Sequence, residues 1–310
     1  MSYLEGKKIL ITGANGFIGS HLVNSLFEAK AVVCPVVGPG PNILNVPNVE
    51  IDITDFDSVK KYFTSVKPDI VYHLGALVNL TRDFKIGVTC IDVNIKGTFH
   101  ILEASVIAGV KHFVFFSTQE VYGEGKTPYK EDQNLQPPSP YAVSKLAGES
   151  FCAIYKALHN LDYTILRLST AYGSGQVGNR LIPTIIRNVL SSSDVNLNSG
   201  KKKRDYIFIE DLIDCILTSS KSSKSKCQIF NVGGGVSYSL KVLAEKLVKL
   251  TGNKSLIRLN VFPDRVGEAD NMLSDISKAK KLLGWEPKHS LDAGLRKTIE
   301  FYREYYNDKG

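Results

Sequence analysis

The stretch ITGANGFIGSHL, residues 11–22, constrains this chain more than any other. It spaces Gly13, Gly16 and Gly19 at three-residue intervals. Before it stands an apolar run, KKILITG, that reads as a buried strand. After it, Ile18, Leu22, Leu26 and Ala29 fall on one face of a helix. A strand that turns at once into a helix must pass through a tight turn, and glycine permits it. The helix entered this way offers unpaired N–H groups and a favourable dipole to an anion. A bare glycine triplet could be a turn in any α/β protein. Set between the first strand and the first helix, it points to a dinucleotide pyrophosphate. We therefore place Gly13, Asn15, Gly16, Phe17, Ile18 and Gly19 around that ligand.

An acidic residue about twenty positions on would bind ribose hydroxyls and select NAD. Here Val37 and Gly38 occupy that slot, and no arginine stands there for a 2′-phosphate. Asp52 in VEIDITDFD, with Ile53, is expected at the adenine end of the cofactor. Asp55 is the better candidate for capping the helix that follows. NAD is the expected cofactor, with NADP as the alternative.

Beyond residue 22 short apolar runs keep alternating with helical patterns. AVVCPVV, DIVYHLGA (69–76), KHFVFFST and YTILRLST read as strands. Residues 55–66, 93–109 and 141–159 read as helices. This alternation predicts an α/β fold with a doubly wound parallel Rossmann sheet. After residue 170 the pattern loosens into a smaller C-terminal substrate-binding lobe. Helices are expected at 181–190, at SLKVLAEKLVKL and within 277–306, and a strand turning into a helix at DYIFIEDLIDCILTSS. The division expected is a dinucleotide-binding domain over 1–170, with contributions from about 205–235, and a second lobe over 171–310. SSKSSKSK (219–226) reads as an exposed connector.

The chain has 310 residues and a formal net charge of +7. Without an arginine-rich or aromatic-interleaved tract, that excess favours anionic small ligands over nucleic acid. The five cysteines form no CxxC pair and the histidines show no ligand spacing, so neither a disulfide framework nor a metal site is expected. No apolar run is long enough to span a membrane. A soluble protein of the reducing cytoplasm is the expectation.

SPYAVSKLAGES carries Tyr141 and Lys145, four residues apart and so on one helix face. A phenol of pKa near 10 is a poor base at neutral pH. A nearby ammonium and a positive nicotinamide would favour its phenolate. Some twenty residues upstream, FFSTQEVYG puts Thr118 and Glu120 at a strand end. With these motifs in place, the chain resembles the extended short-chain dehydrogenase/reductases, specifically the nucleotide-sugar epimerase/dehydratase group. The resemblance runs nearly the whole length, through DITD, HLGA, VNIKGT, RLIP, KRDYIFIEDL, NVGGG and ISKAKKLLGWEPK.

By that resemblance Thr118, Tyr141 and Lys145 match the catalytic Ser/Thr, Tyr and Lys. Leu74, Gly75 and Ala76 match the strand-end segment beside the cofactor, with glycine where the family pattern has alanine. His73, just before them, is otherwise a structural residue. Asn94 matches the helix asparagine near the active site. Asn179, Arg180, Arg204 and Arg265 match positions that hold the nucleotide diphosphate of a sugar substrate, a task suited to the arginine fork. The implied chemistry starts with oxidation of the sugar C4 hydroxyl to a 4-keto intermediate.

Glu120 divides the specific readings. A 4,6-dehydratase uses a glutamate there to remove the C5 proton, whereas a 4-epimerase needs none. Gln119 stands where many dehydratases keep an aspartic acid, and the short chain fits epimerases. The lead expectation is a 4-epimerase. A 4,6-dehydratase with Glu120 as its base follows, then a 4-ketoreductase or decarboxylase. An inactive dinucleotide sensor is the non-enzyme alternative. The resemblance further implies a homodimer built on helices 93–109 and 141–159, with Phe151, Ile154, Tyr155 and Leu158 as apolar surface.

Overall fold

The computed structural model describes residues 3–39, 44–80, 83–176 and 178–307. From the N-terminus the chain runs β1 (Lys8–Thr12), α1 (Phe17–Glu28), β2 (Val32–Val37), β3 (Val49–Glu50), α2 (Phe56–Val66), β4 (Ile70–His73), α3 (Phe84–Cys90), α4 (Gly97–Ala108), β5 (His112–Thr118), α5 (Pro140–His159) and β6 (Asp162–Leu168). It continues through β7 (Thr170–Tyr172), α6 (Leu181–Leu190), β8 (Val195–Asn196), β9 (Lys203–Phe208), α7 (Ile209–Lys221), β10 (Gln228–Val232), β11 (Ser237–Ser239), α8 (Leu240–Thr251), β12 (Ile257–Arg258), β13 (Asn271–Met272), α9 (Ser277–Leu283) and α10 (Leu291–Asn307).

Strands covered on both faces must be apolar along most of their length, and the middles of β1, β4 and β5 are. They lie at the centre of a seven-stranded sheet ordered β10-β6-β5-β4-β1-β2-β3. Every neighbouring pair in it is parallel. The chain winds outward from β1 through β2 and β3. It then returns to β4 and winds the other way. That reversal opens a crevice beyond the carboxyl ends of β1 and β4, the place where such sheets bind ligands. β9 anchors a smaller sheet, with β11 antiparallel to it and β7 and β13 parallel. β10 lies in sequence between β9 and β11 of that sheet yet closes the edge of the large one. One continuous apolar core therefore joins α1 and β1 to α6, α7, α8 and α10.

Local chemistry explains the helix ends that frame the site. Asp55 caps α2 by accepting from the N–H groups of Asp57 and Ser58. Ser139 caps α5, and Pro140 fills its first position, where a missing N–H costs nothing. The helix expected over 93–109 is longer and less regular. α3 runs through a wider π turn at Ile91–Lys96 into α4.

Two expectations hold only in part. The serine-rich stretch 219–226 is an exposed connector only in part: Lys221, Ser223, Lys224 and Lys226 are exposed. α7 continues to Lys221, and Ser219, Ser220 and Ser225 are buried. Their small hydroxyls are satisfied locally: Ser219 and Ser220 both donate to the Ile216 carbonyl. Ser220 also accepts from the Tyr72 hydroxyl at 2.6 Å. On α5, Tyr155 is buried and its hydroxyl donates to Glu103 at 2.7 Å, while Phe151 packs against the core. Of the four apolar surface residues expected on this helix, only Ile154 and Leu158 face outward.

Candidate active site

The glycine turn is set by steric necessity. Gly13 has φ +67°, and a Cβ there would stand 2.8 Å from the Gly75 nitrogen. The turn after β1 thus passes directly over the end of β4. A Cβ on Gly19 would stand 2.3 Å from the Gly13 carbonyl oxygen, so α1 rests on the turn itself. Gly16 is the N-cap of α1, and no side chain among the described residues bonds to the first-turn N–H groups. No acidic residue stands in that turn. Free donors, a positive dipole end and bare backbone fit a pyrophosphate. Asn15 reaches the Gly38 carbonyl at 3.5 Å, and Phe17 meets the His21 ring edge-on. Ile18 is half-buried against the core. Val37 is buried, while a Cβ on Gly38 would meet open space. Asp52 is exposed and accepts from the Thr54 N–H. Ile53 packs against Gly97, where a Cβ would lie 2.7 Å from its Cδ1.

Under this crevice runs a chain of buried hydrogen bonds. The Gly75 N–H donates to Thr12 Oγ1 at 3.1 Å. Thr12 Oγ1 lies 2.7 Å from His73 Nδ1, and His73 Nε2 lies 2.9 Å from Thr98 Oγ1. Thr98 donates to the Asn94 carbonyl at 2.5 Å. Each hydroxyl has one proton, so the directions are determined: Thr12 donates to Nδ1, and Nε2–H donates to Thr98. Burial, with the nearby charge of Lys145, pushes the His73 imidazole down to about 3. His73 is thus a neutral bridge of one tautomer. Alanine at position 75 would bring its Cβ within 3.0 Å of Thr12 Oγ1, and glycine leaves that bond room. The Asn94 side chain accepts from the Leu77 N–H and donates to the Leu77 carbonyl and to Ser144 Oγ. Ser144 in turn donates to the Tyr141 carbonyl at 2.7 Å. The strand ends and α5 are therefore held in one hydrogen-bonded frame.

Thr118, Glu120, Tyr141 and Lys145 are all buried at the ends of β5 and α5. Thr118 Oγ1 accepts from the Glu120 N–H at 3.2 Å. Glu120 Oε2 accepts from Ser139 Oγ at 3.1 Å, the same hydroxyl that caps α5. Gln119 accepts from Ser274 Oγ at 3.2 Å. Burial raises the Tyr141 phenol well above its usual value, the Glu120 charge raises it further, and Arg180 pulls it back. The lysine expected to lower it is itself pushed down to about 8 by burial. Lys145 Nζ lies 4.7 Å from the centroid of the Phe115 ring. Without the nicotinamide charge that the expected phenolate also relies on, burial and Glu120 favour the protonated phenol. One turn further along α5, Glu149 takes Arg167 in three hydrogen bonds and accepts a fourth from Ser117.

The residues expected on the substrate side are less gathered. Asn179 and Arg180 stand exposed at the approach to α6. Arg204 is buried on β9, and its Nη2 lies 2.5 Å from Glu268 Oε1. Arg265 Nη1 lies 3.7 Å from the same oxygen. Sequence reading missed Ser139, Ser144, Thr12 and Glu268. The serine–proline pair at 139–140 is a helix-start signal that points to Ser139. The others are joined across long sequence separations and leave no local pattern.

A family model described as the NAD dependent epimerase/dehydratase family matches residues 9–233. Over 312 residues the chain is 31% identical to a UDP-glucose 4-epimerase of Mycolicibacterium smegmatis, covering 96% of this chain and 98% of that one. It is also 31% identical over 323 residues to human dTDP-D-glucose 4,6-dehydratase, covering 97% and 91%. A Thermotoga maritima UDP-glucose 4-epimerase, solved with UDP-glucose, superposes with a TM-score of 0.87 at 30% identity, covering 96% of this chain and 99% of that one.

Proposed function

The chain belongs to the NAD-dependent epimerase/dehydratase family, and from that premise we propose that it is a nucleotide-sugar 4-epimerase. The observation that carries this reading is the engagement of Glu120, the one residue that would make it a dehydratase, beside a glutamine at 119 where many dehydratases keep an aspartic acid. Glu120 holds the cap of α5 through Ser139, and Gln119 is turned to Ser274. A carboxylate spent on a helix cap supports a positioning role.

Gly13, Gly16 and Gly19 would hold the pyrophosphate of NAD, with Asp52 and Ile53 at its adenine end. Bound NAD would supply the hydride acceptor and a positive ring close to Tyr141. Tyr141 takes the proton of the sugar C4 hydroxyl, and Thr118 holds that oxygen. The phenol must first lose its own proton against burial and the charge of Glu120. Arg180 and the added positive charge work in that direction. Lys145, with a value near 8, stays largely charged at neutral pH and can hold a ribose hydroxyl. Once the 4-keto sugar has turned over, the C4 hydride accepted by bound NAD would return to the sugar's other face while Tyr141 returns the proton. Arg204, Arg265, Asn179 and Arg180 would hold the nucleotide diphosphate.

A second reading, the 4,6-dehydratase, is favoured by one observation: Glu120 is close enough to Tyr141 to raise its pKa. Mass spectrometry of products from a panel of nucleotide sugars in deuterated water separates the two. Epimerisation leaves the mass unchanged and carbon-bound deuterium absent. Loss of one water with deuterium at C5 would make it a dehydratase and Glu120 its base.

The protein also fits a homodimer. Val88, Ile91, Phe99, Val143, Ile154 and Leu158 are exposed along α3–α4 and α5, helices that lie side by side. Such a contiguous apolar face favours a second copy of the chain. Among the described residues no helix is long and apolar enough to cross a membrane, and the five cysteines are free thiols. Free thiols suit the reducing cytoplasm, where we place it.

A further inference from the structure

We propose that Asp205 is a positioning residue, which registers the catalytic end of β5 to the small sheet and acts through Ser274. The inference rests on the reading of Thr118 and Tyr141 as the residues that work on the sugar. Asp205 lies on β9 and is fully buried. Alternation along the strand turns its side chain to the face opposite Arg204.

Three backbone N–H groups converge on the Asp205 carboxyl. Gly234 donates to Oδ1 at 2.7 Å and Ser274 to Oδ2 at 3.3 Å, and Gly235 donates as well. The packing is close, since a Cβ on Gly233 would stand 2.3 Å from Oδ2 and 3.1 Å from Ser169 Oγ. Gly233, Gly234 and Gly235 form the turn that leaves β10, the edge strand of the large sheet. Ser274 follows β13 of the small sheet. Among the described residues no cation pairs with Asp205, and only main-chain groups hold it. An apolar side chain in its place would avoid the cost of burying a carboxyl. What the carboxyl adds is direction, because it fixes segments of two sheets on one point.

From Ser274 the connection enters the catalytic turn by two routes. Ser274 Oγ donates to Gln119 Oε1 at 3.2 Å, and Gln119 stands between Thr118 and Glu120. The residues on either side of Ser274 bracket Tyr129. The Tyr129 N–H donates to the Leu273 carbonyl at 2.7 Å, and the Asp275 N–H donates to the Tyr129 carbonyl at 2.8 Å. The Tyr129 hydroxyl donates to the Gly123 carbonyl at 2.7 Å, and its ring stacks on Tyr122 with centroids 4.6 Å apart. The single turn Gln119–Tyr122, capped by Thr118, is thus gripped at both ends. Thr118 and Glu120 are registered to β9 through Asp205. A substrate bound against β9 has to meet Thr118 in that register, and a misplacement of about 1 Å can cost roughly a hundredfold in rate.

Steady-state kinetics of the full chain with NAD test this, with UDP-glucose and dTDP-glucose as probe substrates. Asp205→Asn keeps the shape but replaces one acceptor oxygen by a donor. It should lower kcat roughly tenfold or more while KM stays within about twofold of the parent's. Ser274→Ala keeps the N–H for Asp205 and deletes only the hydroxyl at Gln119. It should lower kcat by roughly threefold, the scale of one hydrogen bond. The double variant should lose little beyond Asp205→Asn alone, because both act along one path. Asp211→Asn is the control, a buried carboxyl of α7 that accepts from the N–H groups of Lys288 and His289 instead. It should lower the midpoint of urea unfolding and leave kcat unchanged. A kcat untouched by Asp205→Asn, or equal kcat losses in the two aspartate variants, would overturn the positioning role. Should Asp205→Asn fail to fold, Ser274→Ala decides: a reduced kcat supports the role and an unchanged one overturns it. A parent that converts neither sugar counts against the catalytic reading for those sugars alone. Hydrogen exchange read by mass spectrometry then decides for Asp205. Faster exchange over residues 118–123 in Asp205→Asn supports its role, and unchanged exchange there overturns it.

Discussion

Tyr141 illustrates how a single residue is made by its surroundings. Its spacing from Lys145 suggests an activated phenol. Yet burial and Glu120 hold the phenol protonated, and Lys145 does not offset them. In the proposed mechanism the base therefore has to be switched on by what binds beside it. Tyr141→Phe should cut turnover by about a thousandfold, the scale of positioned proton transfer, while NAD affinity stays near the parent's. Turnover and fluorescence titration with NAD check both halves. Deeper in the fold, Glu149 balances Arg167 where neither meets water. Glu149→Ala leaves an uncompensated buried charge and should cost about 3–5 kcal/mol, read from urea unfolding. Neither role can be assigned from the identity of the residue alone, since carboxylates at 120 and 149 look alike in the sequence.

At the scale of elements, the glycine turn and the central strands act together. Gly13→Ala would place a methyl 2.8 Å from the Gly75 nitrogen, in a backbone region that disfavours side chains. It should destabilise the protein by about 1–3 kcal/mol and weaken NAD binding at the same time. The two central histidines give the sheet a pH dependence. His73 and His112, on β4 and β5, are held by burial near 3 and 4, below the usual 6.5. Between those values and 6.5 the unfolded chain takes up protons that the folded chain refuses. Stability is therefore full above about pH 6.5 and falls as the pH drops. By pH 5 the loss approaches about 2 kcal/mol per histidine. Urea unfolding at pH 7 and pH 5 should show a drop that His112→Gln roughly halves. An equal drop in that variant would remove His112 from the account. The buried serines of α7 carry a lesson about composition. Low-complexity sequence suggested solvent, but hydroxyls satisfied by helix carbonyls pack well inside.

For the whole molecule, the threading of the chain matters most. β10 returns to the large sheet between β9 and β11 of the small one, so one core supports both the glycine-turn crevice and β9, which carries Arg204. The outer face of α5 is the surface proposed for the dimer. Leu158 is 72% exposed and Ile154 47%, with few contacts to lose within one copy. Leu158→Asp with Ile154→Asp should give monomers in sedimentation at micromolar concentration, with the unfolding midpoint of each chain otherwise little changed. A parent chain that sediments as a monomer would remove the dimer altogether.

The order of strands and helices, the glycine turn and the shared helix face of Tyr141 and Lys145 were all legible in the sequence. They depend on spacings of two to four residues, which are local facts of backbone geometry. So was the family, because its motifs are short and in order. The tertiary structure alone decided which charges meet. Ser139 reaches Glu120 across 19 positions, Thr12 reaches His73 across 61, and Arg204 reaches Glu268 across 64. It also decided that Tyr155 turns inward and that Lys145 is buried. Electrostatic effects follow distance and solvent exposure in space, and separation along a chain encodes neither.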